Sequence, residues 1–187
     1  MANRNTQGFG LIAAGTLGQT PAISGQGKYK IDANYATTIF NGGAVASAAG
    51  YIVEGQGTDT PILGVLNGIF YNAATTLKPT FANHYVQVTP ANSEDIDAFV
   101  FDNPQQQYVV ATDAARTQAG FLETYDMNAS GGSTTTGKSS ATLDIGDTSA
   151  DAASWRLLRS AEDPENQDLT AAFASVVVVA NLIELQS

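Results

Sequence analysis

The chain has 187 residues, 8 Lys plus Arg against 18 Asp plus Glu for a formal charge of -10, and no cysteine. That length suffices for one domain with a hydrophobic core of its own, and the absent thiols exclude cysteine nucleophiles, zinc–thiolate centres and disulfide frameworks. The acidic balance repels phosphate backbones and anionic lipid, so neither a nucleic-acid nor a membrane partner is expected.

Residues 1–21, MANRNTQGFGLIAAGTLGQTP, mix Gly and Asn with scattered apolar side chains and keep neither a helical nor a strand period. They lack the apolar stretch of a secretory signal. Phe9, Leu11, Ile12 and Leu17 are too apolar for a segment that is only solvated. The expectation is therefore an extended N-terminal arm that leaves the domain and packs on a neighbouring protomer or another partner, with Arg4 meeting a carboxylate there. Residues 22–187 then form a single β-rich domain.

From residue 28, KYKIDANYATTIF alternates around Tyr29 and Ile31 and again around Tyr35, Thr37 and Ile39, which predicts two short strands closed by Asn41-Gly42-Gly43. AVASAAGYIVEGQG and PILGVLNGIFYN continue as short apolar stretches ended by Gly or Asn. HYVQVTP alternates as well, and IDAFVFDNPQQQYVVATD predicts a hairpin of two strands around Asp102-Asn103-Pro104. DAARTQAGF has room for one helical turn. SATLDI and SWRLLRSA give two more strands, the second with Trp155 and Leu157 on its inner face. DPENQD is a turn, and FASVVVVANLIEL predicts a strand central to a sheet. Its apolar run is far short of the ~20 residues that span a bilayer. Nine or ten short strands with turn signals between them predict an all-β fold, a compact β-barrel or sandwich of short antiparallel strands.

Residues 132–139, GSTTTGKS, satisfy the phosphate-loop pattern G-x-x-x-x-G-K-[ST]. That chemistry requires a helix leaving the loop with its free N–H groups aimed at phosphate. Here Ala141, Leu143 and Ile145 alternate with Thr142 and Asp144, so the loop leads into a strand. It reads as a Gly/Ser/Thr connection with Lys138 in solvent. His84 is the only histidine and sits in a turn-like stretch. Carboxylates gather at Glu94, Asp95 and Asp97, at Asp144, Asp147 and Asp151, and at Glu162, Asp163, Glu165 and Asp168. None follows the spacing of a calcium loop, and a weak calcium site in the last group is the only metal reading that arises. No nucleophile–base pair emerges from spacing, so neither an enzyme nor a cofactor is expected.

MANRNTQGFGLI at the start, FDNPQQQYVV in the middle, then TGKSSATLD, ASWRLLRSAEDPENQD and a valine-rich closing strand occur in an order that resembles a family of tailed-phage head decoration, or cement, proteins. The shared features are the Met-Ala-Asn opening, a Gly-Phe motif, a mid-chain Asp-x-Pro before an aromatic strand, and an Arg-Leu-Leu strand followed by a Pro-Glu-Asn turn. The chain departs from that pattern at its end, ANLIELQS standing where a polar Asn-His sequence is usual. The resemblance implies a protein made in the host cytoplasm that binds the major capsid protein on the outer surface of the virion, as a homotrimer, and stabilises the head. Two other readings stay open. A tail or head-completion structural protein would assemble as a ring, and a carbohydrate-binding virion module would be marked by an exposed aromatic patch with carboxylates nearby.

Overall fold

The computed structural model describes residues 3–18, 25–55, 60–128, 131–146 and 153–186. The fold is all-β, two antiparallel sheets packed together as a sandwich without a closed barrel. The first sheet has the order β1 (Ile12–Thr16), β8 (Gln106–Ala111), β12 (Ser175–Ala180), β11 (Trp155–Ser160), β9 (Thr124–Asn128), β10 (Thr142–Asp144). The second runs β2 (Gly27–Ile31), β7 (Ile96–Phe101), β5 (Gly64–Asn72), β3 (Ala44–Ala48), β4 (Tyr51–Glu54), and β6 (Pro79–Ala82) pairs with the far end of β5. The helical pieces among the described residues are short 3-10 turns, one of them at Gln118–Gly120 within the stretch expected to hold a helical turn.

Two cores follow, with inward side chains alternating along β7, β8 and β11. Between the sheets lie Trp155, Leu157, Tyr108, Val176 and Val178 of the first and Val65 of the second, with the Trp155 ring edge-on to Tyr108 at 5.7 Å. Trp155 is fully buried, as its place beside Leu157 predicts. Beneath the second sheet Ile31, Ile69, Ile96, Ala98 and Val100 pack with Tyr85. The outer strands β2 and β4 approach each other there, so the sheet curls round this core. β12 is buried on both faces from Ser175 to Val179, which is why its valines run unbroken rather than alternating.

Three expectations need correction. β7 and β8 are not a hairpin. β7 is flanked by β2 and β5, and β8 by β1 and β12, so neither has a free ladder for the other. The corner at 102–105 instead carries the chain from one sheet to the other, and Tyr108 Oη donates back to the Phe101 carbonyl at 3.1 Å. Residues 35–39 and 85–89 form no strands, only a bridge between Ile39 and Tyr85. Their apolar side chains close the second core instead of extending a sheet. Finally, 12–16 form β1, an edge strand paired with β8 inside the domain. Residues 12–16 of the expected arm therefore belong to the first sheet, and 19–21 lie outside the described residues.

Candidate functional site

The N-terminal segment is fastened at both of its ends. Asn3 Nδ2 donates to the carbonyls of Asp168 at 3.0 Å and Ala172 at 2.9 Å, and its Oδ1 accepts the Asp168 N–H. The Arg4 N–H donates to the Glu165 carbonyl, and the Arg4 guanidinium meets the Glu165 carboxylate at 2.5 Å. The Asn5 N–H donates to Oδ1 of buried Asn166 at 2.7 Å, while Asn166 Nδ2 is held by Asp163. The chain then crosses the Ser140 carbonyl at Gly8, where a Cβ would stand 2.1 Å from that oxygen. Only glycine fits a contact so close. Leu11 follows into the inter-sheet core at 4% exposure.

Of the five residues expected to bind a partner, Leu11 is thus occupied by its own core, Arg4 by Glu165 of the same chain, and Phe9 is half-buried. Ile12 and Leu17 remain outward, 50% and 40% exposed. Ile12 pairs with Val109, and Val109 with Val177, so Ile12 is the open end of an apolar row across the outer face of the first sheet. The arm orders on β8 because main-chain pairing and the burial of Leu11 offset its entropy, ~1–2 kcal/mol per residue.

The glycine-rich loop is a turn between the paired strands β9 and β10. The Ser133 N–H donates to the Lys138 carbonyl at 3.0 Å, the Gly137 N–H to the Ser133 carbonyl, and Asn83 Nδ2 to the Thr136 carbonyl at 2.8 Å. Lys138 is exposed and a strand follows, so no helix end faces a phosphate position. His84 stacks on Phe40, ring centroids 5.9 Å apart, with Nδ1 2.8 Å from Asn83 Oδ1. Asp163 and Asp168 are held below the usual carboxylate range by hydrogen bonds inside their own turn, from Asn166 and Thr170 first of all. Of the middle acidic group, Asp147 and Asp151 lie outside the described residues. Among the described residues no group of three His, Asp or Glu is arranged to hold a metal ion.

A further organised surface was not anticipated as a site. β7 sends Ile96, Ala98 and Val100 into the second core and Asp97, Phe99 and Phe101 to the opposite side. Phe101 packs on the inter-sheet core. Phe99, on the same face, lies in a row that continues into solvent. Register places Lys30 beside Asp97, Asp97 beside Phe70, and Phe70 beside Phe81. Phe81 is 73% exposed, and its ring centroid lies 4.8 Å from Phe70 and 6.2 Å from Phe99. β6 and β7 are separated by β5, so Phe81 reaches Phe99 across that strand, where Phe99 stands opposite Gly68. Lys28 and Lys30 both grip Asp97, at 2.7 Å and 2.6 Å. The Lys30 contact is an ion pair without hydrogen-bond alignment. Burial alone would raise the Asp97 carboxyl, but the two ammonium groups outweigh it and hold it below its ordinary value. Beside this ridge opens a pocket of about 370 Å³ lined by Phe70, Asn72, Glu94, Asp95, Asp97 and Lys30, among others. An exposed aromatic patch with carboxylates nearby is therefore present. Its three rings, Phe70, Phe81 and Phe99, come from three strands, and only register brings them together.

Neither a protein-family profile, nor a curated protein, nor a solved structure matches the chain.

Proposed function

We propose that the chain is a non-enzymatic structural protein of a tailed-phage virion, a decoration or cement protein bound as a homotrimer to the major capsid protein on the outside of the head. The observation that supports this reading most is the junction of Asn3, Arg4 and Asn5 with Glu165, Asn166 and Asp168. The opening motif and the Pro-Glu-Asn turn, which carry the resemblance from opposite ends of the chain, are two halves of one hydrogen-bonded unit. Short motifs of turn residues recur singly by chance, whereas a pair that must meet in space is constrained jointly.

Such a protein works by contact. It opposes internal genome pressure by bridging neighbouring capsomers, and three weak contacts on one trimer act together with high effective concentration. Closed three-fold symmetry matches the three-fold and quasi-three-fold positions of an icosahedral head. Ile12 and Leu17 are the outward residues of the N-terminal segment that such a contact would shield. The test is a reconstruction of heads assembled without the protein and then incubated with it. Trimers at three-fold positions are expected, and Ile12→Asp should lower their occupancy. Absence of binding, or pentameric or hexameric rings, overturns the proposal.

A further inference from the structure

The aromatic ridge of the second sheet constrains what can sit on it. Phe70, Phe81 and Phe99 project from adjacent strands of a hydrogen-bonded sheet, and Phe81 leaves most of its surface open to solvent. The pocket beside them carries three carboxylates, Glu94, Asp95 and Asp97, the Asn72 amide and the Lys30 ammonium. Asp97 is held by Lys28 and Lys30, and Asp95 accepts a hydrogen bond from Tyr51 Oη at 3.2 Å, so the polar wall is braced.

Charge and solvation separate the candidate occupants. An anion would meet three carboxylates against one ammonium group in the pocket lining, and the chain as a whole is acidic. A cationic peptide would meet Lys30 in the pocket wall. A second copy would add its own negative charge and would strip water from Glu94 and Asp95, which is costly unless it brings donors to them. A neutral ligand with one apolar face and a rim of hydroxyls has none of these conflicts. The C–H groups on one face of a pyranose are attracted to the negative face of an aromatic ring, and its hydroxyls donate well to ionised carboxylates. The pocket volume lies within the ~300–1,000 Å³ of small-molecule sites.

We propose that this face is a carbohydrate-binding site for a neutral, pyranose-containing glycan. One sugar stacks on Phe81 beside Phe70, and its hydroxyls reach Asn72, Asp95 and Glu94, with the Lys30–Asp97 ion pair as the polar floor. The site goes beyond the capsid reading and does not depend on it. On a particle carrying many copies, weak individual contacts would add into firm attachment to a glycan-coated surface.

The test uses the full chain with cellohexaose, chitohexaose, maltohexaose and yeast mannan as probes, by saturation-transfer NMR and calorimetry. At least one probe should bind with a Kd of about 1 mM or tighter, with saturation transfer to its ring protons. Phe81→Ala should weaken that binding about tenfold or more at an unchanged melting temperature, and Asn72→Ala should weaken it less. Leu122→Ala, at an exposed residue outside the ridge and pocket, should leave it as it was. No binding of any probe at about 10 mM, or equal binding by Phe81→Ala, overturns the proposal. So does a parent oligomer that Phe81→Ala dissociates with no effect on sugar, since the face would then belong to a second copy.

Discussion

Asn3 and Asp168 are bonded to each other in both directions. The side-chain amide of Asn3 donates to the Asp168 carbonyl at 3.0 Å, and the Asp168 N–H donates back to the Asn3 oxygen at 3.0 Å. A single side chain thus satisfies both main-chain groups of a residue 165 positions away. Asn carries a donor and an acceptor on two separate atoms of one short stem, whereas Ser has both on a single oxygen, ionised Asp only accepts, and Ala has neither. Asn3→Ala leaves those part-buried groups without their partner and should cost about 1–3 kcal/mol. In a chain of this size each kcal/mol lowers Tm by roughly 2–4 °C. Asn3→Asp should be no better at neutral pH, because it sets a carboxylate against the carbonyls of Asp168 and Ala172. Calorimetric melts that leave Tm unchanged would show the junction to be ornamental.

Leu11 and Ile12 are neighbours in sequence with opposite fates, one in the inter-sheet core and one in solvent. Leu11→Ala should cost about 2–5 kcal/mol, and Ile12→Ala within about 0.5 kcal/mol of nothing. Urea unfolding of the two variants measures the difference. Reversed costs would mean that β1 is slipped by one residue on β8.

Asp97 gives the second sheet a pH dependence of known sign. Its carboxyl lies below the ordinary range when folded, burial being outweighed by Lys28 and Lys30, and takes up a proton near pH ~3.9 when unfolded. The stabilisation is present at neutral pH and is lost as pH falls through the folded value. Burial raises Glu54 and Asp113, with the opposite sign, so the comparison must be between variant and parent. Asp97→Asn should be less stable than the parent at pH 7, and the gap should narrow as pH falls below the ordinary carboxylate range. A gap independent of pH would place the cost in packing rather than in charge.

In the glycine-rich loop two adjacent residues should behave oppositely. Lys138→Ala should alter neither stability nor nucleotide response, since calorimetry with ATP is expected to show no heat of binding. Gly137→Ala should destabilise by about 1–2 kcal/mol or more, because φ there is +73° and a Cβ would stand 2.2 Å from Asn83 Oδ1 and 2.5 Å from His84 Nδ1. A stable Gly137→Ala variant would mean that the loop does not rest on Asn83 and His84.

What the sequence reveals about this fold divides along local and non-local lines. β12 is legible because four valines in a row satisfy two buried faces, and Trp155 because it alternates with Leu157. β1, with Ala13, Ala14 and Gly15, carries almost no strand signal of its own and is a strand because β8 offers a free edge. The hairpin expected across 96–111 fails because no local pattern shows that both ladders of each strand are already taken. β6 begins at Pro79 and escapes notice for the same reason that it tolerates proline, its place at the sheet margin. The ridge of Phe70, Phe81 and Phe99 depends on the register of three strands, which a linear reading does not contain.

The division of the strands between the sheets also sets an order of events during synthesis. The second sheet is contiguous, β2 through β7, with its own core, whereas β1 must wait for β8, on the far side of that whole block. Domains fold as the chain emerges, N-terminal parts first, yet here the first strand made docks among the last. The small side chains that make β1 hard to recognise also keep the waiting strand from pairing elsewhere, since a strongly β-prone segment left idle is an aggregation hazard. Pulse-labelled hydrogen exchange during refolding should protect amides of 96–101 before those of 12–16, and the reverse order would mean that the ends of the molecule nucleate it.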